Sequence, residues 1–351
     1  MTRTGVERDT SDGTMEGHLW ELSIPLRAPF VTGAGRVGER RIVVVTVGDG
    51  SVAGWGEAAP FPGVTPDTVA DAWRTLERGS VLSPTAAAAF DEATADFEAR
   101  RVGAPLWKTI GGSRRSIPTS IAVGLDEDPI GRLEATGAAA VKLKIRPGSD
   151  VNRVAAVREV FPEISIGVDG NSSYGWGDRG PLLELDRFGV AYVEQPFPVD
   201  DLDAHARLRD EIVAAVALDE PIDSEVAAIR AVEAGACDLL VVKPARVGIT
   251  AARTIHDIAL AAGLRIKASG LLETEIGRAF TLAVASLPAA VHSDVAAASW
   301  YLVGSVCSGV EEVIAGEITL TDRPGLGFDP DPATFARYVV RESPLGSRIW
   351  D

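Results

Sequence analysis

The sequence predicts an α/β chain: a (β/α)8-type barrel with an α+β capping domain built from the N-terminal region and the C-terminal tail. Three observations predict it. From residue 116 onward, short apolar runs alternate with segments whose apolar residues recur every three or four positions, the pattern of strands each followed by a helix. Charged residues close those runs at a regular interval: Lys144, Asp169, Glu194, Asp219 and Lys243 stand 25, 25, 25 and 24 residues apart. That period is a repeat signal and suits a strand with its returning helix. No phosphate-binding glycine fingerprint follows an early strand, which argues against a doubly wound sheet.

The elements follow in order. Residues 1–13 are polar, lack the apolar run of a signal peptide and read as a disordered tail. A capping domain is expected over 14–115, with HLWELSI (18–24) and RRIVVVTVGDG (40–50) as strands. The loop between them, holding Thr32, Gly33 and Gly35, reads as a flap, and WGEAAPFPG (55–63) as a second loop dense in proline and glycine. TPDTVADAWRTLERG (65–79) reads as a helix capped by Thr65 with Pro66 at its first position. PTAAAAFDEATADFEARR (84–101) reads as another. The barrel is expected over 116–308, with strands at 116–124, 141–145, 164–170, 191–196, 215–221, 237–244, 264–270 and, more weakly, 289–295. The segment 309–351 is expected to pack back on the capping domain.

Composition excludes several classes. A net charge of −16 argues against nucleic acid or an anionic membrane as partner. No apolar run is long enough to span a bilayer, so a cytoplasmic protein is expected, and a homo-oligomer is compatible with it. The two cysteines, Cys237 and Cys307, suggest neither a disulfide framework nor a zinc site. Of 34 basic residues only five are lysines, and four of those five fall in expected barrel strands. Arginine stays charged at ordinary pH, whereas a lysine can be tuned to act as a base.

The charges at the strand ends define a chemistry. Residues two apart in a strand share a face, so Lys142 and Lys144 point into the barrel with Leu143 outward, and Asp169 and Asn171 share a face. Barrel enzymes carry function at the C-terminal ends of their strands. Rim ion pairs would account for two of these charges. Three carboxylates on adjacent strands repel one another unless a cation lies between them. Asp169, Glu194 and Asp219 are therefore the candidate metal ligands, and oxygen donors suit Mg²⁺, with Mn²⁺ as the alternative. Strands two and six are opposite in an eight-stranded barrel, so a substrate carboxylate on the metal would lie between Lys144 and Lys243. A neighbouring like charge lowers a lysine's pKa, which makes one of them a candidate base. The expected reaction class is abstraction of a proton alpha to a carboxylate, with the metal stabilising the enediolate.

VKLKI, VDGN, VEQP, LDEP and VVKP together resemble the enolase superfamily in its muconate lactonizing subgroup. VKLKIRPGSDV, GNSSYGWGD, LDRFGVAYVEQP, KPARVG and LLETEIGRAF are similar to the o-succinylbenzoate synthases and N-succinylamino acid racemases. The resemblance covers nearly the whole chain. It implies Lys144 as acid/base, Lys142 as its electrostatic neighbour, and Lys243 as second base or enolate-stabilising cation. It implies Mg²⁺ on Asp169, Glu194 and Asp219, with Asn171, Ser269 and Gly270 near the substrate or a metal-bound water. Thr32 and Gly33 would belong to a flap over the pocket. The chain departs from the family pattern at Ser269-Gly270, Gly248-Ile249 and HSDVAAAS, all positions that shape the pocket.

The activity so implied is a Mg²⁺-dependent o-succinylbenzoate synthase, a dehydratase of menaquinone biosynthesis acting on a small-molecule carboxylate. The alternatives are an N-succinylamino acid racemase or dipeptide epimerase, then a cycloisomerase, then a barrel retained only for binding. Glu273 reads either as a partner near the pocket or as a helix N-terminal carboxylate. Lys267 reads as a structural ion pair and Glu220 as facing away from Asp219. His205 and His256 read as solvated on outer helices, and His292 as a candidate substrate contact.

Overall fold

The structure, a computed structural model, describes residues 16–32, 35–78, 83–307 and 312–345, the side chains of 31, 32 and 35 excepted. The expected tail, 1–13, lies outside the described residues. Three strands open the chain: β1 (Glu16–Thr32), β2 (Gly35–Gly48) and β3 (Ala53–Ala58). β4 (Ser116–Pro118) and β5 (Ser120–Val123) follow, then β6 (Ala140–Lys144), β7 (Ser165–Asp169) and β8 (Tyr192–Glu194). β9 (Ala215–Leu218), β10 (Leu239–Val242) and β11 (Arg265–Ala268) come next, and β12 (Val313–Ile314), β13 (Glu317–Thr319) and β14 (Val339–Pro344) end the series.

The first sheet is antiparallel in the order β14-β1-β2-β3. Its strands are apolar on both faces because both are covered. Leu19, Val43, Val45 and Val47 pack with Trp73, Leu76 and Phe97 of the helices Val69–Arg78 and Pro84–Arg101. Trp20, Leu22, Ile42 and Val44 face the other way and join the main core. Gly54 and Gly56 let β3 approach the second helix closely: a Cβ on Gly56 would lie 2.9 Å from the Ala93 amide nitrogen. The expected first loop is strand for most of its length, with a register shift between Pro25 and Phe30, and β3 runs into the first four residues of the expected second loop, 55–58. Paired backbone outweighed the local Pro/Gly signal at both places. The first helix begins at Val69, so Thr65 does not cap it. The Thr65 hydroxyl instead accepts from Phe61 N at 3.0 Å.

The second sheet is parallel in the order β11-β10-β9-β8-β7-β6-β5. The expected eighth strand does not form as a regular element. Residues 289–295 nevertheless close the ring: Val291 N donates to Ile266 O (2.8 Å), Asp294 N to Ala268 O (2.8 Å), and Ser120 N to Val295 O (2.7 Å). The expected first barrel strand is split at Thr119. Its front half, β4, leaves the barrel and pairs antiparallel with β13, which pairs with β12. Part of the segment 309–351 therefore lies against β4, and β14 alone joins the capping sheet. Cys237 is buried just ahead of β10. Among the described residues, no helix is long and apolar enough to cross a membrane.

Candidate active site

Register brings the charges together. Lys144 pairs with Asp169 across β6 and β7, Asp169 with Glu194 across β7 and β8, and Glu194 with Ala217 on β9, two residues before Asp219. Lys243 and Ser269 come immediately after β10 and β11. All these positions sit at the C-terminal ends of strands, around a cavity of about 310 Å³ whose lining includes Lys142, Lys144, Asn171, Asp219, Lys243, Ser269 and Gly270. Phe30, Phe61 and Tyr301 form an aromatic wall of that cavity, in edge contacts 6.4 and 6.3 Å between ring centres. The flap residue Gly33 lies outside the described residues, as does the side chain of Thr32; Thr32 ends β1 two residues after Phe30.

Each expected ligand carboxylate is held by ammonium groups. Asp169 accepts from Lys144 Nζ at 2.6 Å and lies 3.3 Å from Lys142 Nζ. Glu194 accepts from Lys142 at 2.8 Å. Asp219 takes a close hydrogen bond from Lys243, and Arg246 Nη2 lies 3.3 Å from it. Lys267 stands 2.9 Å from Glu194 Oε2 but outside hydrogen-bonding direction, so this buried oxygen has no hydrogen-bond donor. Burial would raise the Asp169 carboxyl, but Lys144 and Lys142 overcome it and hold it at about 2. For Asp219 burial is likewise outweighed, by Lys243 and Arg246, and its pKa is lowered. Lys142, the electrostatic neighbour of Lys144, is the most strongly held cation of the row. Burial pulls it down, but Asp294, Glu194 and Asp169 hold it well above its ordinary value, so it is a fixed ammonium.

A divalent cation fits the donor chemistry. Three buried carboxylates, two of them with depressed pKa values, stand at neighbouring strand ends, Asp219 on the cavity wall, and a Glu194 oxygen lacks a hydrogen-bond donor. The side chains are turned toward the lysines, however, and no three metal-binding groups converge on one point among the described residues.

Two residues that sequence reasoning left out of the site, Asp294 and Glu220, belong here. Asp294 takes hydrogen bonds from Lys267 and, at 3.3 Å, from Tyr192 Oη and Ser269 Oγ, and pairs with Lys142 at 2.6 Å. Its signal was an acid at the end of the weak eighth strand. Glu220 lines the cavity and accepts from Asn171 Nδ2 at 3.0 Å. Strand alternation placed it away from Asp219, but β9 ends at Leu218, so alternation no longer applies. Burial, then repulsion from Asp219 and Asp169, raises its carboxyl to about 7. Asn171 reaches the site by a left-handed turn (φ 42°), not by strand periodicity, and its Oδ1 accepts from Lys144 at 2.6 Å. Lys267 is fully buried in ion pairs, as read.

The histidines behave differently from expectation. His205 and His256 are buried, not solvated: His205 Nδ1 meets Asp201 O at 2.7 Å and His256 Nε2 accepts from Ala289 N at 3.2 Å. His292 sits in a second cavity with Ser165 and Gly167, the N-terminal side of the strands, a cavity that Lys144 and Lys243 do not line. Glu273 accepts from Leu271 N at 2.6 Å and directly precedes Thr274, which caps the helix Glu275–Ala285.

Comparison with known proteins places this arrangement. The Enolase C-terminal domain-like family matches residues 129–334. An o-succinylbenzoate synthase of Geobacillus stearothermophilus is 33% identical, over 92% of this chain and 94% of its own. An N-succinylamino acid racemase of Thermus thermophilus is 32% identical, over 87% and 92%. The solved structure of a probable mandelate racemase from Alicyclobacillus acidocaldarius superposes with a TM-score of 0.85 at 28% identity, covering 95% of this chain and 99% of that one. The family model spans more than half of the chain and the relatives match over nearly all of it: the chain is an enzyme that belongs to the Enolase C-terminal domain-like family.

Proposed function

We propose that the chain is a divalent-metal-dependent o-succinylbenzoate synthase, a dehydratase of menaquinone biosynthesis that removes a proton alpha to a carboxylate. The observation that carries this reading is that Lys144 and Lys243 border one cavity, each paired with a carboxylate of the strand-end row, Asp169 and Asp219. Asp169, Glu194 and Asp219 would hold Mg²⁺, with Mn²⁺ as a substitute. When bound, the cation supplies positive charge to the substrate carboxylate and its enediolate. Residues 14–115 and 309–351 would form the unit that covers the barrel of 116–308, lending Phe30 and Phe61 to the pocket wall.

The chain's own residues divide the remaining work. Lys144 is the most accessible of the four barrel lysines, its side chain 13% exposed against 6%, 7% and 0% for Lys142, Lys243 and Lys267. As the free amine it takes the alpha proton, and Asp169 and Asn171 aim its nitrogen. Lys142, pinned by Glu194 and Asp294, adds a fixed positive charge near the developing anion. The carbon–hydrogen bond breaks, a carbon–carbon double bond forms, and the beta carbon–oxygen bond breaks. The leaving hydroxyl departs as water with the proton Lys144 has taken, and the ring becomes aromatic. The aromatic wall keeps bulk water from the anion.

A racemase of N-succinylamino acids is the second reading, favoured by one observation: Lys144 and Lys243 border the same cavity from separate strands. Proton NMR in D₂O with Mg²⁺ separates the two. Dehydration of the cyclohexadiene precursor supports the synthase. Deuterium entry into N-succinylamino acids without dehydration supports the racemase.

A further inference from the structure

Cations lining the cavity are Lys142, Lys144, Lys243 and, among the described residues, one more: Arg278. The reaction described above uses the lysines and leaves Arg278 without a role. It lies in the first turn of the helix Glu275–Ala285, which follows β11. Its side chain is only 3% exposed, and among the described residues its sole acidic contact is Glu273 Oε2, 3.3 Å from Nη2. That contact lacks hydrogen-bond geometry: Glu273 Oε2 and Arg278 Nε are both buried without a hydrogen-bond partner. A guanidinium presents five donors in a fixed fork, and leaving them unspent inside a protein is costly. Donors left unspent on the wall of a cavity point to an anionic ligand.

The chain opens the way to this group. Gly270 has no side chain, and a Cβ there would strike Glu273 Oε2 and come within 2.8 Å of Arg278 Nη1. The missing methyl is therefore a window onto the guanidinium. The neighbouring lining is apolar, with Leu271, Leu272, Phe61 and Tyr301, so a charge here is read in a low-dielectric setting.

We propose that Arg278, reached past Gly270, is the subsite for a second carboxylate of the substrate, the one not engaged by the lysines and metal ligands. The site would then select dicarboxylates whose second acid ends a short flexible arm. This rests on the functional reading above for the identity of the arm, but not for the presence of the subsite.

The test measures binding by calorimetry with Mg²⁺ for two pairs of ligands. The first pair is o-succinylbenzoate and o-butyrylbenzoate, which differ only in carboxylate against methyl at the arm's end. The second is N-succinylphenylalanine and N-butyrylphenylalanine. Wild type is expected to prefer the acid of at least one pair by about 10- to 100-fold, the scale of a charged hydrogen-bonded contact. Arg278→Met combined with Glu273→Gln, which leaves no bare buried carboxylate, should erase that preference while methyl-ended ligands bind as before. Arg278→Lys should restore part of it, and Gly270→Ala should reduce it. A preference for the acid that survives the double variant overturns the subsite and leaves the synthase reading intact. Acid preference confined to the amino acid pair keeps the subsite and counts against the synthase. Wild type showing no acid preference in either pair overturns the subsite outright.

Discussion

Glu57 on β3 ties the capping sheet to the barrel, and its removal gives a signed, measurable effect. Its carboxylate is fully buried and accepts from Thr274 N at 3.0 Å, Gly277 N at 3.2 Å and the Thr274 hydroxyl, at the N-terminus of the helix Glu275–Ala285. Burial dominates these bonds and, with Glu273 nearby, raises the carboxyl from 4.5 to about 7. The folded protein therefore holds the proton more tightly than the unfolded chain, and unfolding releases it. Stability must fall as pH rises through the window from 4.5 to about 7, and level off above it. Between pH 5 and pH 8 the Glu57 contribution falls by about 2.5 kcal/mol at 1.36 kcal/mol per pKa unit. Glu57→Gln keeps the shape and removes the titration. Urea unfolding at both pH values should thus show a gap between wild type and variant that changes by about 2.5 kcal/mol. Parallel pH profiles would refute the buried, protonatable Glu57 and with it this account of how the cap is fixed to the barrel.

Other outcomes follow from the same geometry. Lys144→Ala should lower turnover by about 10²- to 10⁴-fold, the usual contribution of a positioned acid/base, with an unchanged circular dichroism spectrum. Asp219→Asn should weaken Mg²⁺ binding measured by calorimetry, and should also loosen Lys243, whose ammonium it holds. Asp294→Ala leaves Lys142 and Lys267 short of a buried partner and should cost about 3–5 kcal/mol in urea unfolding. Gly56→Ala forces a methyl against Ala93 of the helix Pro84–Arg101 and should cost about 1–3 kcal/mol, read as a lower melting temperature.

Much of the barrel was legible because its strands are short and largely apolar, and most of them are closed by an ionisable residue at or just after the end. The row from Lys144 to Lys243 is carried by backbone register, and register follows from apolar runs that must all be buried. The eighth strand was faint because it is held by scattered backbone bonds, with His292 at positive φ (48°) interrupting it. Glu220 and Asn171 were misjudged in their route, since strand periodicity stops where β9 and β7 stop. The capping strands ran longer than read because Pro25 and Gly56 are tolerated once both sheet faces are packed. His205 and His256 looked like surface residues by sequence position alone; burial of one helix face is a tertiary property. Arg278 gave no signal at all, because its unspent donors exist only against Gly270 and Glu273 in three dimensions.

The most direct test of the central claim is ultraviolet absorbance of the purified protein mixed with Mg²⁺ and the cyclohexadiene precursor of o-succinylbenzoate. A rapid change to the spectrum of the aromatic product, abolished by chelation and by Lys144→Ala, is the predicted result. An unchanged spectrum with wild type, or equal turnover in Lys144→Ala, would contradict the assignment of this cavity as a dehydratase site.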